Sequence, residues 1–482
     1  MSLQRKTMHS VASSSVIQMC SQVLNFGISI LIARILSPEE FGIVAIGLVF
    51  VALAQTLSDL GLSSSLIQKT DITDDETFSC LCINILIGLM MALVLFLSSE
   101  GLANFYDTPE LSLILIALCP LFFVNSFASV PRAILSRKMK HGQIAVCNLL
   151  ATLMGSLAAL LFAYLDFGLW SLVIQHLITG FMNSSLLVVR SKLQFAKFKL
   201  DLLLPLLPFS LNVFITRVLQ EAANQADKVI IGKFMGPSQL GFYTKADQLA
   251  RFPLRNITGV VSNVMFPALS KIKEDKEKVK LVYLRAIGLI STFVFPILAG
   301  LAYLANDIIF FLLGEKWLPL VPYFMFFCIS FMLLSIGQIS GAFFMSQGRA
   351  DVQLKLILMT QSIKIILLLI GVQSGLEGII IALSIATLSG FSLTMITLSR
   401  ILNFSLIDFV KSIYKPLFSN LVMVVILGVV DSLNFQYRLL LFPVIGATAY
   451  VAISVLIKNK FFWDTASLIL QIFKSKSKSK SS

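Results

Sequence analysis

Fourteen apolar runs, each about twenty residues long, leave this chain little choice of fold. A run of that length spans the hydrocarbon core of a bilayer as a helix. The approximate centres are Gln22, Val51, Gly88, Leu118, Met154, Ile178, Phe214, Pro253, Val294, Leu333, Leu367, Ala386, Val425 and Ala449. The runs are continuous rather than alternating, which excludes a transmembrane β-barrel. Of the 482 residues, 57% are hydrophobic and 13% charged, about half the charged share of a soluble domain. The longest polar interruption, about twenty residues, leaves no room for a large soluble domain. The reading is an all-α polytopic membrane protein. Its first run, near Val11 to Ala33, is too long for a signal peptide and reads as a retained first helix.

The seventh and eighth runs are the most polar and the most informative. The first of them carries Asn212, Arg217, Glu221, Asn224, Gln225 and Asp227; the second carries Lys245, Asp247, Arg251 and Arg255. A charge at mid-bilayer costs about 2.5 to 3.5 kcal/mol on insertion scales, so such residues face a bundle interior or a watery cavity. The hairpin turn between them, Lys233-Phe-Met-Gly-Pro-Ser-Gln-Leu-Gly-Phe242, has an earlier counterpart in Arg34-Ile-Leu-Ser-Pro-Glu-Glu-Phe-Gly-Ile43. A slide of 199 positions superimposes Pro38 on Pro237 and Gly42 on Gly241. It also places Gln18 on Arg217, Gln22 on Glu221 and Asn25 on Asn224, three positions on one helix face. The first copy presents amides there, the second mostly charges. Internal repeats with substrate bound between them are an architecture of secondary transporters.

The repeat sets the expected domains. Residues 1–199 form an N-terminal lobe of helices one to six, and 200–400 a pseudo-symmetric C-terminal lobe of helices seven to twelve. Residues 401–458 hold two further helices, and 459–482 an amphipathic, Lys/Ser-rich tail. With the N-terminus inside, 28 of the 38 basic residues fall in inner segments and five in outer loops. That asymmetry places both termini in the cytoplasm. It also accounts for the net charge of +13 without nucleic acid. The Lys-Ser tail is suited to anionic inner-leaflet lipid, at about 1 kcal/mol per lysine near the surface.

No Walker A, HExxH or Gly-rich nucleotide motif occurs, so the reading is a non-enzyme without cofactor. The six cysteines lie in apolar runs, and Cys80 and Cys82 have no histidine beside them; neither disulfide nor metal site is expected. Candidate substrate contacts are the cations Arg217, Arg251, Arg255, Lys245 and Lys364. Arginine's rigid fork suits phosphate oxygens, so a diphosphate headgroup is the simplest ligand. The competing reading is that Arg217–Glu221 and Asp247–Arg251 are helix ion pairs that mask each other, which leaves Arg255, Lys245 and Lys364 unmatched. Glu221, Asp247 and Asp59 are the candidate ion-coupling acids. Pro253 cannot donate to the Leu249 carbonyl and is predicted to kink its helix.

Two segments carry a family resemblance: Ala33-Arg-Ile-Leu-Ser-Pro-Glu-Glu-Phe-Gly-Ile43 followed by Ser58-Asp-Leu-Gly-Leu-Ser-Ser-Ser-Leu-Ile-Gln68, and Asn224-Gln-Ala-Asp-Lys-Val-Ile-Ile-Gly-Lys-Phe-Met-Gly236 followed by Leu240-Gly-Phe-Tyr243 and Phe266-Pro-Ala-Leu-Ser270. The chain resembles the polysaccharide-exporter, or O-antigen flippase, family of the multidrug/oligosaccharidyl-lipid/polysaccharide exporter superfamily. The resemblance implies two six-helix lobes around a central cavity. It implies flipping of undecaprenyl-diphosphate-linked oligosaccharide across a bacterial inner membrane, for O-antigen, capsule or exopolysaccharide assembly. It makes Arg217, Arg251 and Arg255 the candidate cavity cations, while Lys364 matches no family motif. Polymerase and glycosyltransferases of the same pathway are the expected partners. A multidrug exporter of the same fold is the alternative, for which an acidic cavity would be more apt. A membrane polymerase or ligase is a second alternative, disfavoured by the short outer loops.

Overall fold

The computed structural model describes residues 3–69, 71–194, 196–204, 207–272, 275–433 and 438–463. Residues 464–482, which hold most of the amphipathic segment and all of the Lys/Ser-rich end of the tail, and the side chain of Asn212 lie outside the described residues. Helices follow one another without a strand among the described residues. They are α1 Leu3–Ile35, α2 Pro38–Ser58, α3 Leu62–Gln68, α4 Asp74–Phe105, α5 Glu110–Leu118, α6 Pro120–Arg137, α7 His141–Tyr164 and α8 Trp170–Ser191. Then come α9 Leu207–Lys271, α10 Lys276–Tyr303, α11 Ala305–Leu313, α12 Val321–Ser346, α13 Ala350–Gly371, α14 Gly375–Leu402, α15 Leu406–Asp431 and α16 Arg438–Leu456.

Among the described residues eleven stretches are long and apolar enough to cross a membrane, and the chain is a multi-pass membrane protein. One of the eleven, Asp351–Leu402, contains both α13 and α14. The two arms of α9 are too polar to qualify by hydropathy, yet each is long enough to span. Counting these separately recovers the fourteen spans read from the sequence. The fourth span, Glu110–Arg137, comprises α5 and α6, whose hydrogen-bond ladder is interrupted at Cys119–Pro120 while Cys119 keeps helical dihedrals, because a proline lacks the N–H that would continue the ladder.

The element order is duplicated. In each half a helical hairpin is followed by a third long helix, α4 or α10. A nine-residue helix, α5 or α11, then leads into the fourth, α6 or α12. The hairpin turns use different chemistry at equivalent positions. Ser37 caps α2: its Oγ accepts from the Glu40 N–H at 3.3 Å, and the Glu40 carboxylate accepts from the Ser37 N–H at 2.7 Å, a reciprocal capping box. Its equivalent in α9 is Gly236, at φ 82 and ψ 172, a region open to glycine because it lacks a Cβ. The helical path of α9 breaks there and not at Pro253, which keeps helical dihedrals.

The chain divides into two compact units, Met1–Thr244 and Lys245–Ser482. In the first, α7 packs between α1 and α8, and α6 between α4 and α8. Leu111, Ile114, Leu115 and Leu118 bury the inner face of α5. The two repeat turns also meet within this unit, and they do so reciprocally. A Cβ built on Gly42 would lie 1.7 Å from the Pro237 carbonyl oxygen, and one on Gly241 would lie 1.9 Å from that of Pro38. Each partner is the 199-residue image of the other, as in a two-fold contact.

In the second unit α10 is central, packed on α12 and α15. The appended helices are fastened to it by an apolar cluster of Ala299, Leu304, Met423, Leu427, Phe442 and Tyr450. Tyr450 Oη donates to the Thr292 carbonyl at 2.9 Å. Arg438 pairs with Asp431 at 2.9 Å and lies 5.5 Å from the centre of the Phe442 ring. Phe442 is fully buried, so Phe442→Ala should destabilise this unit by about 3 to 5 kcal/mol. Thermal unfolding of the purified protein in detergent checks this; an unchanged midpoint would mean that α15 and α16 are held by other contacts.

Candidate functional site: the charged arms of α9

Arg217 lies in the first arm of α9, and its guanidinium bridges two groups from elsewhere in the first unit. Nη1 donates to Asp59 Oδ2 at 3.0 Å and Nη2 donates to Ser64 Oγ at 2.8 Å. Local chemistry places Asp59. It ends α2, and the chain reverses through Leu60 and Gly61, both at positive φ. The carboxylate then accepts from the Ser63 hydroxyl at 2.5 Å and the Ser63 N–H at 3.3 Å, at the start of α3, where backbone N–H groups favour an anion. Asn84, fully buried on α4, reaches the same oxygen at 3.4 Å and donates to Ser129 Oγ on α6 at 2.8 Å. Ser65 and Ser210 share a hydrogen bond of 2.6 Å, which ties α3 to the start of α9.

The Arg217–Glu221 helix pair is not formed. Glu221 instead accepts from Gln225 at 2.6 Å, and Gln225 from Lys228 at 2.9 Å. The side chain of Arg217 is 48% exposed and that of Asp59 19%. The arginine therefore keeps an open side from which an anion could approach, while the acid is largely enclosed.

In the second unit the Asp247–Arg251 pair does form. It is two-pronged, with Nε donating to Oδ2 at 3.1 Å and Nη2 donating to Oδ1. The guanidinium also lies 4.7 Å from the centre of the Phe331 ring, a cation–π contact. Arg255, one turn further along, is exposed and has no partner among the described residues. Lys245 is only 2% exposed, within the packing of α9 rather than on an accessible face. Lys364 on α13 is half-buried. Lys245 and Lys364 both engage other groups, so neither is the unmatched cation that composition alone suggested.

The structure thus joins Arg217 to Asp59 in one unit and Arg251 to Asp247 in the other, with Arg255 bare. Ser64, Asn84, Ser129 and Phe331 were not singled out from the sequence. The Ser63-Ser64-Ser65 run directly after Asp59, and the amide of Asn84 inside an apolar span, were the signals available. Phe331 offered none among so many phenylalanines.

A duplicated helical-hairpin architecture with charged groups inside spanning helices defines a multi-pass membrane protein of the transporter type. Solved structures share the fold. The lipid II flippase MurJ, in an inward closed conformation, matches with a TM-score of 0.77 at 18% identity, over 95% of this chain and 99% of that one. An inward-facing MATE-family multidrug resistance transporter of the MOP superfamily matches with a TM-score of 0.60 at 16% identity, over 81% and 99%.

Sequence comparison gives the family. The profile described as "Polysaccharide biosynthesis protein" matches residues 31–322, and the chain belongs to this family. The lipopolysaccharide biosynthesis protein WzxC of Escherichia coli K12 is 25% identical, over 89% of each chain. A membrane protein encoded in the cps region of Klebsiella pneumoniae is 25% identical, over 98% of this chain and 99% of its own. The succinoglycan biosynthesis transport protein ExoT of Rhizobium meliloti is 30% identical, over 60% and 58%.

Proposed function

We propose that this protein flips a lipid-linked oligosaccharide, held by its diphosphate, across the bacterial inner membrane for surface polysaccharide assembly. The observation that carries the reading is Arg217, a half-exposed arginine in a spanning helix whose forked donors are held by one carboxylate and one hydroxyl. A phosphate presents the same acceptor geometry and can replace them. Arg255, exposed and without a partner among the described residues, offers further positive charge on the second arm of α9. The biosynthetic relatives and the shared fold support the same substrate class.

On this reading the lobes comprise residues 1–199 and 200–400, with 401–458 appended. Both termini are cytoplasmic, following the distribution of basic loops. The reciprocal turn contact at Gly42 and Gly241 closes one end of the transport path and parts when the lobes alternate. Lys245 and Lys364 support the positive field from within the packing rather than by touching substrate, and Glu221, Asp247 and Asp59 remain the acids available for ion coupling. A polymerase and glycosyltransferases acting on the same glycan are the partners.

Complementation tests this. A strain lacking its own flippase should regain surface polysaccharide with the wild-type chain. With Arg255→Ala at matched membrane expression it should lose most of it and accumulate lipid-linked precursor on the cytoplasmic face. Restored glycan from Arg255→Ala would remove that residue from the site. A wild-type chain that restores no glycan but changes drug sensitivity would replace the proposal with a multidrug exporter.

A further inference from the structure

The two copies of the repeat differ in chemistry at matched positions, and the first copy has a use for its difference. Where the second copy carries Arg217, Glu221 and Asn224, the first carries Gln18, Gln22 and Asn25. One of these amides, Asn25, is built into a hydrogen-bonded ladder across three helices of the first unit. Gln175 Nε2 on α8 donates to Ser156 Oγ on α7 at 3.2 Å, and Ser156 Oγ donates to Asn25 Oδ1 on α1 at 3.1 Å. Ser156 is fully buried and fixes the two amides, which themselves stay half-exposed. The ladder uses one group of each. Asn25 Nδ2, a donor, and Gln175 Oε1, an acceptor, have no further partner among the described residues. One turn before Asn25, Gln22 is half-exposed with no partner among them.

Unpaired amides in spanning helices are costly against lipid, which supplies no hydrogen bonds. They belong against water or a polar ligand. An amide side chain offers both donors and acceptor sites without charge. That suits a neutral group dense in hydroxyls, whereas a phosphate would need cations. We propose that Gln22, Asn25 and Gln175 form a subsite for the sugar hydroxyls of the transported glycan, separate in role from the arginines that take the diphosphate. The proposal rests on the flippase reading. It assigns the sugar to the amide copy of the repeat and the anion to the charged copy. Ser156 is a positioning residue in this arrangement, since it orients the amides and is itself enclosed.

The test compares two substrates in proteoliposomes: a polyprenyl diphosphate bearing a tetrasaccharide, and the same polyprenyl diphosphate without sugar. Each lost hydrogen bond is worth about tenfold or somewhat less. Gln22→Leu and Asn25→Leu should each lower the transport ratio of glycosylated to sugar-free lipid by about three- to tenfold. Arg217→Gln should depress both substrates alike and leave the ratio unchanged. Gln22 has no partner among the described residues, so its variant guards against loss of folding at the ladder. An unchanged ratio in Gln22→Leu and Asn25→Leu, whether both rates fall together or neither falls, overturns the sugar subsite and leaves the ladder a packing device. If the wild-type protein moves neither lipid, the flippase reading itself fails and the subsite falls with it.

Discussion

Replacing Gly42 with alanine should force the two repeat turns apart and cut glycan export at least tenfold, and Gly241→Ala should do the same. A methyl group on Gly42 would lie 1.7 Å from the Pro237 carbonyl oxygen, and one on Gly241 1.9 Å from that of Pro38. The obstacle in both cases is backbone, and the turns are braced by proline and by the Ser37–Glu40 capping box, so no side chain can swing aside. Overpacking of this kind costs about 1 to 3 kcal/mol. The cost falls only on the state in which the turns touch, and a penalty of about 1.4 kcal/mol on one of two states changes their ratio tenfold. An alternating carrier needs both states, so turnover falls even though the open state is untouched. Because either substitution separates the same pair of turns, the double variant should cost less than the sum of the two. The measurements are surface polysaccharide and labelling of a cysteine placed at Ser238, part-buried in the facing turn, which should become more reactive in each variant. Wild-type export with wild-type labelling would show that the turns need not close.

The repeat that makes this prediction possible was legible in the sequence because it depends on local chemistry. Pro38 and Gly42 mark a hairpin turn, and Pro237 and Gly241 repeat the pattern 199 residues later. The spans were legible for the same reason: length and apolarity are properties of a window of sequence. What could not be read was long-range pairing. Arg217 finds Asp59, 158 residues away, rather than Glu221 on its own helix, because the corner at Leu60–Gly61 brings the start of α3 against α9. Nothing in the order of residues marks that approach. Lys245 and Arg255 looked alike in the sequence. One is enclosed and the other exposed, a difference set by which side of α9 faces the packing. The break in α9 falls at Gly236, inside the hairpin turn read from the sequence, and Pro253 keeps helical dihedrals.

Arg217→Ala should reduce export about a hundredfold, and Asp59→Asn should slow release rather than binding. In the structure the guanidinium is held by one carboxylate and one hydroxyl. A diphosphate that displaces both regains two charge-assisted bonds, each worth about 1.5 to 3 kcal/mol, and alanine forfeits them. Arg217→Lys restores the charge but not the fork, so it should recover only part of the activity. Asp59 opposes the substrate as well as orienting the arginine, since both compete for the same N–H groups. Asparagine keeps an oxygen for Ser63 while removing the charge, so the phosphate meets less competition and leaves more slowly. The expected signature in proteoliposomes is a lower KM with a lower kcat. It is the opposite of what simple loss of a stabilising ion pair would give, because a half-exposed pair contributes only about 1 kcal/mol to folding. If Arg217→Ala transports normally, the headgroup is held elsewhere and Arg255 becomes the first place to look. If Asp59→Asn raises KM instead, the carboxylate positions the arginine for substrate and does not stand in for it.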